Sequence, residues 1–306
     1  MTKAKVWTPG DPVPPDYVMA KDNLPARDQG GWAQDKLRWL EEFLRPAIAA
    51  TKRKGGATYY VDLFAGPGRN ANDRGDDFQG SPLIGLESEF LFKDETETSG
   101  FNHFYFCNID PLDHALLEQR VEKKLAEVGS RVKPDNVRCL PGDSNELIHK
   151  ILDEIPEWAY VMVVADIDGP SDLAFDTLRA LRQRHDSVDL YVLYPTNLGI
   201  SRLLPYDGER RHNKTLDRYF PTLDWEEIVN DRRTNAQSAE MRGRLLELYR
   251  SHLANHWKYV EVAMDVRKKG GNLYHMLFAT DFSPAISMAI SARSRSGQYG
   301  LFDSAR

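Results

Sequence analysis

Short apolar runs, each closed by glycine, proline or an acid, alternate along this chain with stretches in which apolar side chains recur every three to four positions. That alternation predicts strands interleaved with helices, the pattern of an α/β sheet. Strands are predicted at 59–64, 101–110, 137–140, 160–165 and 189–194. The run YVMVVA at 160–165 is apolar throughout and suits the middle of a parallel sheet. Helices are predicted at 32–50, 112–128 and 171–184, and Ser81-Pro82 reads as the cap and first turn of another. The first of these puts Trp32, Leu37, Leu40, Phe43, Leu44 and Ile48 on one face, with Pro46 expected to kink or end it and Lys36 facing either solvent, the commoner place for a lone lysine, or the ligand pocket.

The flanks carry less pattern. Residues 1–30 are rich in proline and glycine and are expected to form an extended N-terminal arm pinned by Trp7 and Tyr17. A main domain is expected over 31–290, with a helical insertion at about 201–257, followed by a C-terminal tail at 291–306. A polar insert after Gly68, NANDRGDDFQG, is placed to fold over a ligand. Two strand patterns, 259–266 and 272–280, flank the segment from Arg267 to Gly271 and predict an antiparallel hairpin.

Composition narrows the class. The chain has 306 residues, 41% hydrophobic and 28% charged, as in globular proteins. No apolar run approaches the roughly 18 residues that cross a bilayer, and the N-terminus has no apolar signal core, so a cytoplasmic protein with no membrane role is expected. Cys107 and Cys139 are the only cysteines and lie in strand-like runs, which points to buried small hydrophobes, and no metal is expected. The net charge of -6 is unevenly spread: residues 201–306 hold 17 Lys and Arg against 13 Asp and Glu. Arg202, Arg210, Arg211, His212, Lys214 and Arg218, with the hairpin tip Arg267-Lys268-Lys269, form either a solvated face or a track for the phosphates of a nucleic acid.

The candidate chemistry gathers at strand ends. Asp62 interrupts the apolar run before Phe64-Ala65-Gly66-Pro67-Gly68, and a carboxylate there requires a ligand or a ring of N–H donors. The glycines let the backbone approach a bound molecule closely. Neither the Gly-Lys-Ser/Thr of a P-loop nor the G-x-G-x-x-G of dinucleotide sites is present. Asp110, ending the second strand, is placed either to accept ribose hydroxyls or to cap the helix behind Pro111. Asp143 is a further acid at a strand tip, with Ser144 as a helix cap or further contact. Asp166 and Asp168, in Asp-Ile-Asp-Gly-Pro after the fourth strand, lie where open sheets bind ligands; each is either functional or a cap or turn residue.

The form D-x-F-x-G-x-G at 62–68 resembles the first motif of class I methyltransferases, which bind S-adenosylmethionine (SAM). With Phe64-Ala65-Gly66-Pro67-Gly68 followed by Gly80-Ser81-Pro82, and Ile200-Ser201-Arg202 further on, the chain from about Trp32 to about Phe282 resembles the three-Cys-motif partner (TcmP) family. The resemblance implies a Rossmann-like class I methyltransferase fold, mostly parallel and ending in an antiparallel hairpin, with SAM as cofactor. It implies loop contacts from Asp62, Phe64, Ala65, Gly66, Pro67 and Gly68, with Asp110, Asp143 and Ser144 completing the cofactor site and Asp168 or Asp166 at the acceptor. It also implies a cysteine-bearing, radical-SAM-like three-Cys-motif protein as partner. The expected function is methyl transfer to a nucleic acid or nucleotide-derived substrate; the alternative is a non-catalytic binding module for that partner. The family's usual Asp-Pro-x-Gly is replaced by Asp166-Ile167-Asp168-Gly169-Pro170, which leaves open which acid takes the functional place.

Overall fold

The computed structural model describes residues 7–8, 10–29, 31–72, 74–91, 98–128, 131–203, 213–231, 239–268 and 271–296. The first part of the chain runs β1 (Tyr17–Met19), β2 (Pro25–Asp28), α1 (Gly31–Lys54), β3 (Thr58–Asp62), β4 (Arg69–Ala71), β5 (Asp77–Gln79), α2 (Ser81–Glu87), β6 (Phe90–Leu91) and β7 (Thr98–Ser99). The middle alternates β8 (His103–Asn108), α3 (Pro111–Val128), β9 (Val137–Pro141), α4 (Ser144–Glu154), β10 (Tyr160–Ala165), α5 (Phe175–Arg184) and β11 (Val188–Tyr194). Then come the helices α6 (Ser201–Leu203), α7 (Asn213–Tyr219), α8 (Asp224–Asn230) and α9 (Ala239–Ala254), the hairpin β12 (Tyr259–Lys268) and β13 (Gly271–Thr280), and α10 (Ser283–Arg295).

Seven strands form the central sheet in the order β12-β13-β11-β10-β3-β8-β9. The five from β11 to β9 are parallel, and β13 and β12 add antiparallel at one edge. β3 is buried at every position between β10 and β8, and each of these neighbours is apolar because both faces are covered. On one face α1 supplies the cover: Trp39 stacks on Tyr191 of β11 at 4.3 Å and on Phe43 at 5.0 Å, and its indole N–H donates to the Ala289 carbonyl of α10.

Several boundaries differ from the sequence expectation for physical reasons. α1 runs straight through Pro46. A proline there frees the carbonyl four residues back, on Glu42, and that carbonyl accepts a hydrogen bond from Arg295, whose guanidinium also pairs with the Glu42 side chain at 2.9 Å. The hairpin pairs as far as Lys268 and Gly271, so its strands are longer than expected. α10 extends over the first part of the expected tail. The N-terminal segment is no simple arm: β1 and β2 pair antiparallel, β2 joins β4, and β5 completes a four-stranded second sheet. The polar insert after Gly68 therefore forms half of that sheet. Arg210, Arg211, His212 and Lys269 lie outside the described residues, as do the side chains of Arg267 and Lys268.

Candidate functional site

The chain leaves β3 for β8 and β9 on one side and returns to β10 and β11 on the other, which opens a crevice at the carboxyl ends of these strands. A cavity of about 350 Å³ lies there, walled by the loops after β3, β8, β9 and β10, by α1, and by β2 and β4 of the small sheet. Every residue expected at the cofactor or the acceptor lines it except Asp62, which lies beneath.

Asp62 is fully buried between Val164 and Phe106 on the neighbouring strands. Its Oδ1 accepts from the Phe64 N–H at 3.2 Å, and its Oδ2 has no hydrogen-bond partner. Burial raises its pKa to about 7, against the pull of the Phe64 amide. The loop that follows is held from several sides. The Leu63 amide donates to Val164, the Ala65 amide to Cys107, and Asn108 Nδ2 donates to the Gly66 carbonyl at 2.6 Å. Contrary to expectation, the Phe64 and Ala65 amides are thus engaged by the protein. The Gly66 and Gly68 N–H groups have no acceptor among the described residues. Both glycines have positive φ, but for different reasons. A Cβ on Gly66 would project into open space, whereas one on Gly68 would meet Leu117 Cδ1 at 2.8 Å, so Gly68 answers to internal packing.

Asp110 takes the second of its alternatives, the helix cap. Its Oδ1 caps α3 through the amides of Leu112 and Asp113 at 2.8 and 2.9 Å, and no donor among the described residues reaches its Oδ2. Asp143 behaves alike: Oδ1 accepts from the amide and side chain of Asn145 at the start of α4. Asp143 is therefore the cap, not Ser144, whose buried hydroxyl donates to the Leu63 carbonyl and ties α4 to the glycine loop.

The two acids after β10 separate clearly. Asp166 points inward and pairs with Lys36 at 2.5 Å; its Oδ1 is buried without a partner. Lys36 therefore faces the cavity and not solvent. Asp168 stands at the mouth with its side chain 82% exposed, and Arg27 Nη1 lies 3.4 Å away. The turn is stabilised by Asp172, which accepts from the amides of Asp168 and Gly169.

Three contributors were not legible from sequence. Arg27, from β2, is held by Asp113 at 2.6 Å while Tyr17 donates to the other oxygen of that buried carboxylate, also at 2.6 Å. Arg120 is buried on α3 and donates to the Pro67 carbonyl, to Asp22 and to the carbonyls of Leu24 and Pro25, linking glycine loop and N-terminal segment. Ile109 is 72% exposed on the cavity rim, an apolar platform beside Asp110. An exposed isoleucine between a buried strand and a cap was the one available signal. Cys107 and Cys139 are free, and burial pushes both thiols up to about 12, so neither is a thiolate near neutrality. Among the described residues no group of three or more His, Cys, Asp or Glu is arranged to hold a metal ion, and no helix is long and apolar enough to cross a membrane.

No family model matches the chain, and no curated protein does. Among solved structures it is similar to the crystal structure of protein LPL1258 from Legionella pneumophila str. Philadelphia 1, family-model DUF519. That likeness spans 89% of this chain and 95% of that one, with 10% sequence identity and a TM-score of 0.49.

Proposed function

We propose that this chain is a SAM-dependent methyltransferase with a class I, Rossmann-like fold, akin to the TcmP family that its glycine loop and Gly80-Ser81-Pro82 resemble. The observation that carries the reading is the meeting, around one cavity, of the free Gly66 and Gly68 amides with the uncommitted oxygens of Asp110 and Asp143. Its volume falls within the range of about 300–1,000 Å³ usual for small-molecule sites. The antiparallel pair at the edge of a five-stranded parallel sheet supports the same class, since a dehydrogenase is expected to end in parallel strands.

The residues fit SAM part by part. The open space over Gly66 and the two loop amides suit the amino-acid portion, and the orphaned Oδ1 of Asp166, a residue of the cavity wall, adds an acceptor for its ammonium group. Asp110 Oδ2 suits the ribose hydroxyls, Ile109 the face of the base, and Asp143 Oδ2 the adenine amino group. Bound SAM supplies an electrophilic methyl group on a sulfonium. The protein then has to hold the nucleophile in line and accept its proton. Asp168, exposed at the mouth, is the group that meets the acceptor, while Lys36 holds Asp166 in place. The acceptor class, a nucleic acid or nucleotide-derived substrate, rests on the resemblance; Arg202 and Lys214 are solvent-exposed cations. The second reading, a module serving a three-Cys-motif partner, is favoured by one observation. Asp168 stands 82% exposed at the mouth and already faces Arg27 at 3.4 Å.

Asp110 provides the test. Serine keeps the helix cap but removes the second carboxylate oxygen. Asp110→Ser should leave the thermal midpoint nearly unchanged while weakening SAM binding by about tenfold or more, the value of one or two charge-assisted hydrogen bonds. Unchanged affinity would remove the ribose assignment, and no SAM binding by the parent protein at millimolar concentration would remove the enzyme.

A further inference from the structure

The wall of the cavity is lopsided in charge. Its cations are each matched: Lys36 by Asp166 at 2.5 Å, Arg27 by Asp113 at 2.6 Å, and Arg69 by Asp77. Asp110, Asp143, Asp168 and Asp172 remain in the wall. Among the described residues their carboxylates meet backbone amides, the side chains of Asn145 and Ser171, and, for Asp168, the already paired Arg27 at 3.4 Å. Amide and hydroxyl donors satisfy oxygen lone pairs but bring no formal charge. Two more carboxylate oxygens, Oδ1 of Asp166 in the wall and Oδ2 of Asp62 beneath it, are buried without a donor.

Such a site holds a ligand with a positive charge more tightly than the same ligand without it, because a partly closed, low-dielectric wall screens the carboxylates less than water does. Methyl transfer makes that comparison within one molecule. The acceptor's lone pair forms a bond to the methyl carbon, the C–S bond breaks with its electron pair left on sulfur, and the acceptor's proton passes to a carboxylate or solvent. The cofactor loses one positive charge and the methyl group, while its ribose, base, ammonium and carboxylate are unchanged.

We infer that the uncompensated carboxylates Asp110, Asp143, Asp168 and Asp172 make this cavity prefer the sulfonium of SAM over the neutral thioether S-adenosylhomocysteine, so that transfer itself loosens the product. The inference rests on the methyltransferase reading and adds to it a built-in resistance to product inhibition. A site working through hydrogen bonds and shape alone would bind both forms about equally, since every hydrogen-bonding group is common to them.

Titration calorimetry on the full chain at pH 8 and low ionic strength tests it, with SAM, S-adenosylhomocysteine and sinefungin, whose amine restores a positive charge without a sulfonium. SAM and sinefungin should bind at least about tenfold more tightly than S-adenosylhomocysteine, and added salt should narrow the gap. Asp168→Asn removes a charge from an exposed side chain; it should weaken SAM severalfold and leave S-adenosylhomocysteine nearly unchanged. S-adenosylhomocysteine binding as tightly as SAM, or more so, overturns the inference and leaves the methyltransferase reading standing. A preference that neither salt nor Asp168→Asn alters belongs to shape and overturns it too. No binding of any of the three at millimolar concentration removes the reading itself, and the inference with it.

Discussion

Asp62 ends the innermost strand as a carboxyl group with one satisfied oxygen, and its raised pKa of about 7 is the consequence of burial. In the unfolded chain the same group titrates near 3.8. Between those values the folded state holds a proton that the unfolded state has lost, so this residue makes stability fall as pH rises. Asp62→Asn removes that dependence. Relative to the parent, its unfolding free energy should gain about 2–3 kcal/mol between pH 5 and pH 8. Urea titrations at the two pH values measure this, and an unchanged difference would mean that Asp62 is ionised across the range. The paired glycines separate fold from site at the same scale. Gly68→Ala sets a Cβ against Leu117 in a left-handed conformation and should cost about 2–3 kcal/mol of stability. Gly66→Ala meets nothing and should cost only about 1 kcal/mol, yet it places a methyl group in the cavity and should weaken SAM binding. Equal stability losses in the two variants would refute the distinction.

At the level of elements, the strand tips were legible because an acid or glycine after an apolar run has few structural uses, and all the tips except Asp62 do meet at one cavity. What stood opposite them was not legible. Helical periodicity marks which face of α1 is buried but not that Lys36, at the edge of that face, looks down on Asp166. The role of β1 and β2 was hidden for a related reason. Short strands in proline-rich sequence have no periodicity to detect, and their partners, Asp113 and Arg120, lie some ninety residues away on α3. Arg120 is the rivet of that arrangement, with a side chain only 2% exposed. Arg120→Met leaves Asp22 and three backbone carbonyls without their donor and should destabilise the protein by about 3–5 kcal/mol. If that variant fails to fold, Asp22→Asn, which keeps an acceptor, should lose about 1–2 kcal/mol in a chemical denaturation. A loss below about 0.5 kcal/mol in either would show that the N-terminal segment is held by other contacts.

Across the whole molecule the parallel sheet has two unlike ends. At the carboxyl end the strands finish in acids, glycines and orphaned oxygens around the cavity. At the other end a second cavity of about 390 Å³ lies between Trp158, Phe282 and the last turns of α1, where Asp189 is already bonded to the Tyr160 hydroxyl and Asp281 to Arg182. A ligand that fits the first end should therefore act on one pole alone. Binding stabilises the folded state by RT ln(1 + [L]/Kd), about 2.7 kcal/mol at a hundredfold excess over Kd. Local openings that expose the site should be suppressed by up to the same amount. In hydrogen exchange with saturating SAM, amides around 64–70, 108–113, 143–146 and 166–172 should slow by about tenfold to a hundredfold. Those around 156–160, 186–189 and 281–288 should change only as far as global unfolding governs them. Because β1 and β2 are tied to the glycine loop through Arg120 and to the mouth through Arg27, the amides of 17–28 should slow with the site although most of them do not touch it. Protection that appears at the Trp158 end, or that leaves 17–28 unchanged, would assign the ligand to the other pole or detach the small sheet from its function.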